Sequence, residues 1–188
     1  MEHRILANHD AETVVVYQAY SPLIAKPALA AGTFVPPFSR TRMTWIKPSF
    51  RWMMHRSGWA LKPDQEVVLA ITLKRSGFDW AVRNACPSSF REGRDPDQAT
   101  WRRRLAESPV RIQWDPDRGT RMERLDTRAI QLGLRGVAVE HYVDDWIVGL
   151  ADVTPLAHEI HRLVSADRLT EASALLPVER PYQPAEAR

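Results

Sequence analysis

Alternation and clustering of apolar positions divide the chain into short strands and helices. Thr13 to Tyr20, read TVVVYQAY, is dense in β-branched and aromatic residues and predicts a buried strand. Ser21 and Pro22 match a helix N-cap followed by proline at the first helical position, and the helix from Leu23 to Ala31 stops at Gly32. Phe34 to Phe38, with Pro36 and Pro37 inside it, is expected to be an extended loop. Met43 to Ile46 is a short strand, and Pro48 opens a helix from about Ser49 to Ser57 that ends at Gly58. Phe50, Met53 and Met54 share the buried face of that helix, whereas Arg51 and His55 lie one turn apart elsewhere.

Val67 to Leu73 is the next strand, followed by a helix from about Phe78 to Ala85. Pro87 to Arg104 is polar and is expected to be irregular. Val110 to Trp114 reads as a strand closed by a turn at Asp115 to Gly119, and Ala129 to Leu134 as another strand. Val137 to Val143 reads as a helix, Trp146 to Val153 as a strand and Pro155 to Val164 as a helix. Pro177 to Arg188 holds three prolines and is expected to be a flexible tail, leaving residues 1–176 as one domain. Interspersed strands and helices predict an α+β fold, a mixed central sheet with packed helices.

Composition adds the class. Apolar residues make up 44% of the chain, with seven Trp, as in globular proteins. No uncharged apolar stretch reaches the roughly 18 residues of a membrane helix. The single cysteine, Cys86, forms no internal disulfide, which fits a reducing cytoplasm, and it reads more readily as a small buried hydrophobe than as a nucleophile.

The net charge of +3 is unevenly spread. From Thr13 to Pro63 there is no Asp or Glu, while Lys26, Arg40, Arg42, Lys47, Arg51, Arg56 and Lys62 are all basic. These bases either make a positive surface for a phosphorylated small molecule or nucleic acid, or pair with acids from later in the chain. The strong catalytic and nucleotide motifs are missing. His158 and His161, at i and i+3, read as a solvated helix face rather than a metal site, and the Asp-Pro-Asp tripeptides at Asp95 and Asp115 read as turns; no metal is predicted.

The richest stretch is Arg40 to Gly58, RTRMTWIKPSFRWMMHRSG. With Pro48 opening a helix, the free N–H groups of Ser49, Phe50 and Arg51, beside Lys47 and the Ser49 hydroxyl, make an anion site, and Trp45 and Trp52 offer stacking surfaces. The alternative leaves the aromatic residues in the core and the cations on the surface.

Tyr17 to Ser21, Phe34 to Phe38, Arg42 to Phe50 with Trp52, Met53 and Met54, and Asp145 to Val148 together resemble an uncharacterised family, domain-of-unknown-function family 4291, over nearly the whole chain. The order of strand Val14 to Tyr20, short helix, Trp45 to Ser49, helix and strand Val67 to Leu73 resembles the front half of an ADP-ribosyltransferase-type fold. That resemblance implies NAD as cofactor. Gln18 or Tyr20 would stand at the first NAD-holding position, Ser49 at the second motif and Asp145 where the catalytic Glu would be. Lys47, Arg51 and the helix N-terminus would hold the pyrophosphate while aromatic rings stack on the nicotinamide, with Arg42 and Trp45 also among the cofactor-binding residues. No His or Arg occupies the first position, and Asp145 is shorter than Glu. The competing class is a binding module that holds a nucleotide or RNA without chemistry.

Overall fold

In the computed structural model, which describes residues 4–185, the chain runs β1 (Leu6–Ala7), β2 (Thr13–Tyr20), α1 (Pro22–Ala31), β3 (Thr44–Ile46), α2 (Phe50–Ser57), β4 (Val67–Lys74), α3 (Arg75–Arg83), β5 (Ala85–Pro87), α4 (Gln98–Glu107) and β6 (Val110–Arg118). It continues through β7 (Arg124–Leu134), α5 (Val137–His141), a π-helical turn (Tyr142–Trp146), β8 (Ile147–Asp152), α6 (Thr154–Ser165), α7 (Leu169–Leu175) and β9 (Arg180–Pro181). The fold is α+β, a mixed central sheet with packed helices.

β2, β4 and β8 form an antiparallel sheet with β4 in the middle, and the β2–β4 register sets Thr13 opposite Lys74 and Tyr20 opposite Val67. β3, β7, β6 and β5 form the other part, with β5 parallel to β6. One bridge joins the two parts, where Tyr17 donates its N–H to the Lys47 carbonyl at 2.7 Å.

The period-2 alternation of β2 decides what packs where. Val14 and Val16 share one side of the sheet with Leu69 and Ile71 and cluster there with Phe34, Ile46 and Tyr142, and Tyr17 faces Phe50 and Met53 of α2 and Ile160 of α6 on the other. Each such aliphatic side chain contributes about 1.5–3 kcal/mol of burial. α2 begins where the sequence signals it, with Ser49 extended and its hydroxyl accepting from Trp52 N at 3.3 Å, and it ends at Gly58, whose φ of 59° is the left-handed conformation of a helix terminator.

Three expectations are corrected. β6 runs through Asp115 to Arg118 instead of turning there: pairing with β7 continues to Arg118–Arg124, with a register shift past Pro116, and the reversal falls at residues 119–123. The stretch expected to be irregular contains α4, capped by Asp97, which accepts from Thr100 N at 2.7 Å. No residue of α4 is buried, so it has no apolar face for periodicity to reveal. Helix α7 follows α6 and packs Ala172 into the core.

The third concerns the Pro-rich tail, which is partly built into the fold. β9 pairs with β1, and Tyr182 is 4% exposed, with its hydroxyl donating to Asp79 and its ring edge-on to Phe78. The last three residues of that tail lie outside the described residues. Among the described residues no helix is long and apolar enough to cross a membrane.

Candidate functional site

A cleft of about 770 Å³ opens beside the C-terminal end of β2, between the loop that precedes β3, β3 itself, and α2 with the loop that follows it. Tyr20 closes β2 at its edge. Phe34 and Phe38 stack at 4.4 Å with Tyr20 edge-on to both, which anchors the loop carrying Arg42 to the core. Trp45 lies over Gly133 of β7, where a Cβ would come within 2.9 Å of the indole; only a glycine admits the ring there. Gln18, Tyr20, Arg42, Trp45 and Lys47 thus all line one cleft, joined by Trp52, Arg56, Asp64 and Gln131.

The floor is a sealed polar network. Gln18, 3% exposed, donates both amide hydrogens, to Thr44 Oγ1 at 2.7 Å and to the Trp45 carbonyl at 3.0 Å, and accepts from the Tyr142 hydroxyl at 2.7 Å. Tyr20 shares a hydrogen bond with Thr44 at 3.0 Å, and burial pushes its phenol up to about 12. With both donors spent on β3, Gln18 is a tie between β2 and β3 rather than a group offering an N–H to a ligand.

The walls are cationic. Arg42 and Arg56 are exposed, and Arg56 reaches only Gln65 Oε1 at 3.5 Å. Lys47 is 7% exposed, donates Nζ–H to the Trp45 carbonyl at 3.1 Å and lies 5.5 Å from the Trp52 ring centroid. Burial brings its ammonium down to about 7; the Arg56 charge lowers it further and Asp115 opposes. Among the described residues none of the three makes an ion pair, and the one acid on the lining is the exposed Asp64. By contrast Arg40, from the same acid-free stretch, is held by both oxygens of Asp144 at 2.7 Å.

The helix N-terminus predicted as an anion site is occupied by the protein itself. Phe50 N donates to Glu179 Oε1 at 2.6 Å, so a carboxylate from the segment before β9 fills the place expected for a ligand. Burial pushes Glu179 up to about 7, opposed by the Phe50 hydrogen bond and the Arg51 charge, with Asp117 nearby raising it further. Ser49 is buried, spends its hydroxyl on Trp52 N and a 3.5 Å contact to Asp117, and does not line the cleft. Arg51 stands with Glu179 on a separate pocket of about 270 Å³.

Asp145 is also elsewhere. It sits in the π-helical turn, 59% exposed, and pairs with Lys74 Nζ at 2.6 Å. Lys74 stands opposite Thr13, and Tyr20 is seven residues further along the same strand, roughly 23 Å away at a strand's rise. The geometry therefore separates the two residues assigned to catalysis, Ser49 and Asp145, from the five that line the cleft. His161 lies flat on Trp59 at 5.3 Å, and His158 is exposed.

The sequence gives no role to Gln131, which donates to Asp115 Oδ2 at 2.5 Å, and reads Asp115, whose other oxygen accepts from Gln113 at 2.9 Å, only as part of a turn. Their approach to Lys47 depends on β7 and β6 lying beside β3, which no local pattern announces. The sequence model of the family described as Domain of unknown function (DUF4291) matches residues 4–182. No curated protein matches the chain.

Proposed function

The chain belongs to the DUF4291 family, and we propose that it binds a nucleotide-type ligand, a phosphorylated molecule with a planar ring, in the cleft at the end of β2. The observation that carries this is the set of three basic residues, Arg42, Lys47 and Arg56, that line one cleft and make no ion pair among the described residues, while Trp45 and Trp52 line the same cleft. Unneutralised guanidinium groups hold phosphate by charge-assisted, two-point hydrogen bonds, and an indole offers the ring a stacking face. The volume is that of a small-molecule site, which favours a mono- or dinucleotide, NAD among them, over an RNA strand.

Binding without transfer is preferred to ADP-ribosyl transfer. Stabilising a cationic sugar requires a carboxylate at close range, and Asp145, assigned to that role, is bound to Lys74 at the other end of the strand. The test is thermal melting with ADP, NAD, inorganic phosphate and a short RNA. A ligand at about 100 times its Kd adds about 2.7 kcal/mol, or roughly 5–10 °C for a chain of this size. ADP or NAD should raise the midpoint at low salt, Arg42→Ala with Arg56→Ala should abolish the rise, and Asp145→Asn should leave it intact. A midpoint unmoved by any nucleotide, or a rise indifferent to salt and to both arginines, overturns the reading.

A further inference from the structure

Anion binding alone does not explain where Lys47 is. Of the four lysines in the chain, Lys26, Lys62 and Lys74 are exposed and Lys47 alone is buried. A lysine that binds phosphate acts as a hydrated ammonium with three donors turned to the anion. Lys47 Nζ has one acceptor, the Trp45 carbonyl, and the face of Trp52 beside it.

The charged and titratable groups around it come from every wall. Arg42 precedes β3, Arg56 is on α2 and Asp64 is in the loop after α2; Tyr20 on β2 keeps its proton, and Asp115 on β6 has its carboxylate held by Gln113 and Gln131. Burial and the Arg56 charge disfavour the ammonium, against the weaker pull of Asp115, so close to neutrality about half of Lys47 is free amine. An ordinary lysine is less than one part in a thousand free amine there. A free, water-poor amine facing an open cleft is the arrangement of a nucleophilic lysine.

Resting on the reading of this cleft as a phosphate site, we propose that Lys47 forms an imine with a phosphorylated aldehyde whose phosphate is held by Arg42 and Arg56. The Nζ lone pair attacks the carbonyl carbon, one amine proton passes to the former carbonyl oxygen to give a carbinolamine, and the second follows as the C–O bond breaks, so that a C=N bond forms and the oxygen leaves as water. One water is lost and nothing is oxidised or reduced. The ligand class is accordingly narrowed to one that joins phosphate and aldehyde in a single small molecule.

Pyridoxal 5′-phosphate is the probe, because it unites aldehyde, phosphate and ring. The full chain is incubated with it at neutral pH, reduced with borohydride and mapped by peptide mass spectrometry, with phosphate-free pyridoxal and added ADP as parallel arms. Lys47 should carry at least tenfold more label than Lys26, Lys62 or Lys74, lose that label when ADP is present, and label more slowly with pyridoxal. Label spread evenly over the exposed lysines, with ADP still raising the melting midpoint, overturns the imine and leaves the nucleotide reading standing. Label on Lys47 that neither ADP nor loss of the phosphate changes overturns the phosphate reading and the phosphorylated ligand with it.

Discussion

Replacing Lys47 with Met should remove a pH dependence of stability that the wild type carries above neutrality. The folded chain holds this ammonium at about 7, against the ordinary 10.5, because burial and Arg56 disfavour its charge. A group whose pKa is depressed by folding contributes stability that is complete above its unfolded value and is lost as pH falls through the folded one. Between about pH 9 and about pH 7 the unfolded chain stays almost fully protonated while the folded chain goes from neutral to half-protonated. Integrating that difference gives a loss of about 2 kcal/mol on the way down. Urea denaturation at a series of pH values reads it directly, since 2 kcal/mol corresponds to about 1 M in the midpoint for a typical slope. Cys86, whose thiol is raised by burial, acts with the opposite sign near the alkaline end, but it is common to both proteins and cancels in the comparison. The variant also leaves the Trp45 carbonyl without its Lys47 donor, a loss of about 1 kcal/mol that does not vary with pH. Wild type and variant whose stabilities run parallel from pH 7 to 9 would refute the reasoning that Lys47 is held close to neutrality.

Tyr142→Phe deletes the hydroxyl that donates to Gln18 and leaves a sealed amide oxygen unpaired, so urea unfolding should show a loss of about 1–3 kcal/mol; an unchanged midpoint would mean that water replaces the bond. Glu179→Gln keeps an acceptor for Phe50 N but removes a carboxyl whose folded pKa of about 7 stands above the ordinary 4.5. The wild type should lose stability as pH rises from about 5 to about 7.5 and the variant should not, and matching profiles would show that the carboxylate is ionised at no cost there.

What the sequence made legible is what lies close along it. β2 declares itself through Val14 to Tyr17, and α2 through Pro48, Ser49 and Gly58. Tyr20, Arg42, Trp45 and Lys47 meet in the cleft because a single bridge, Tyr17 to Lys47, folds that short stretch back on itself. The misplaced residues depend on distant partners. Ser49 heads a helix as expected, yet Glu179 occupies the amide beside it, and nothing between residues 50 and 179 signals that meeting. Arg51 turns to Glu179 for the same reason. Asp145 stands where the resemblance places the catalytic acid, but the π-helical turn presents it and Asp144 to solvent, where Lys74 and Arg40 neutralise them. The Asp115 turn composition lost to the pairing of β6 with β7, since a ladder of hydrogen bonds outweighs a local preference.

The hydrogen bond from Phe50 to Glu179 spans 129 residues, and this bears on the order in which the chain matures during translation. A ribosome adds about 5–20 residues per second, so the amide at the head of α2 is synthesised roughly 6–26 seconds before its carboxylate exists. Throughout that interval the Phe50 amide and strand β1 both lack the partners they have in the finished fold, since β9 lies next to Glu179. A chain stalled short of Glu179 therefore lacks both the carboxylate at the head of α2 and the strand that pairs with β1.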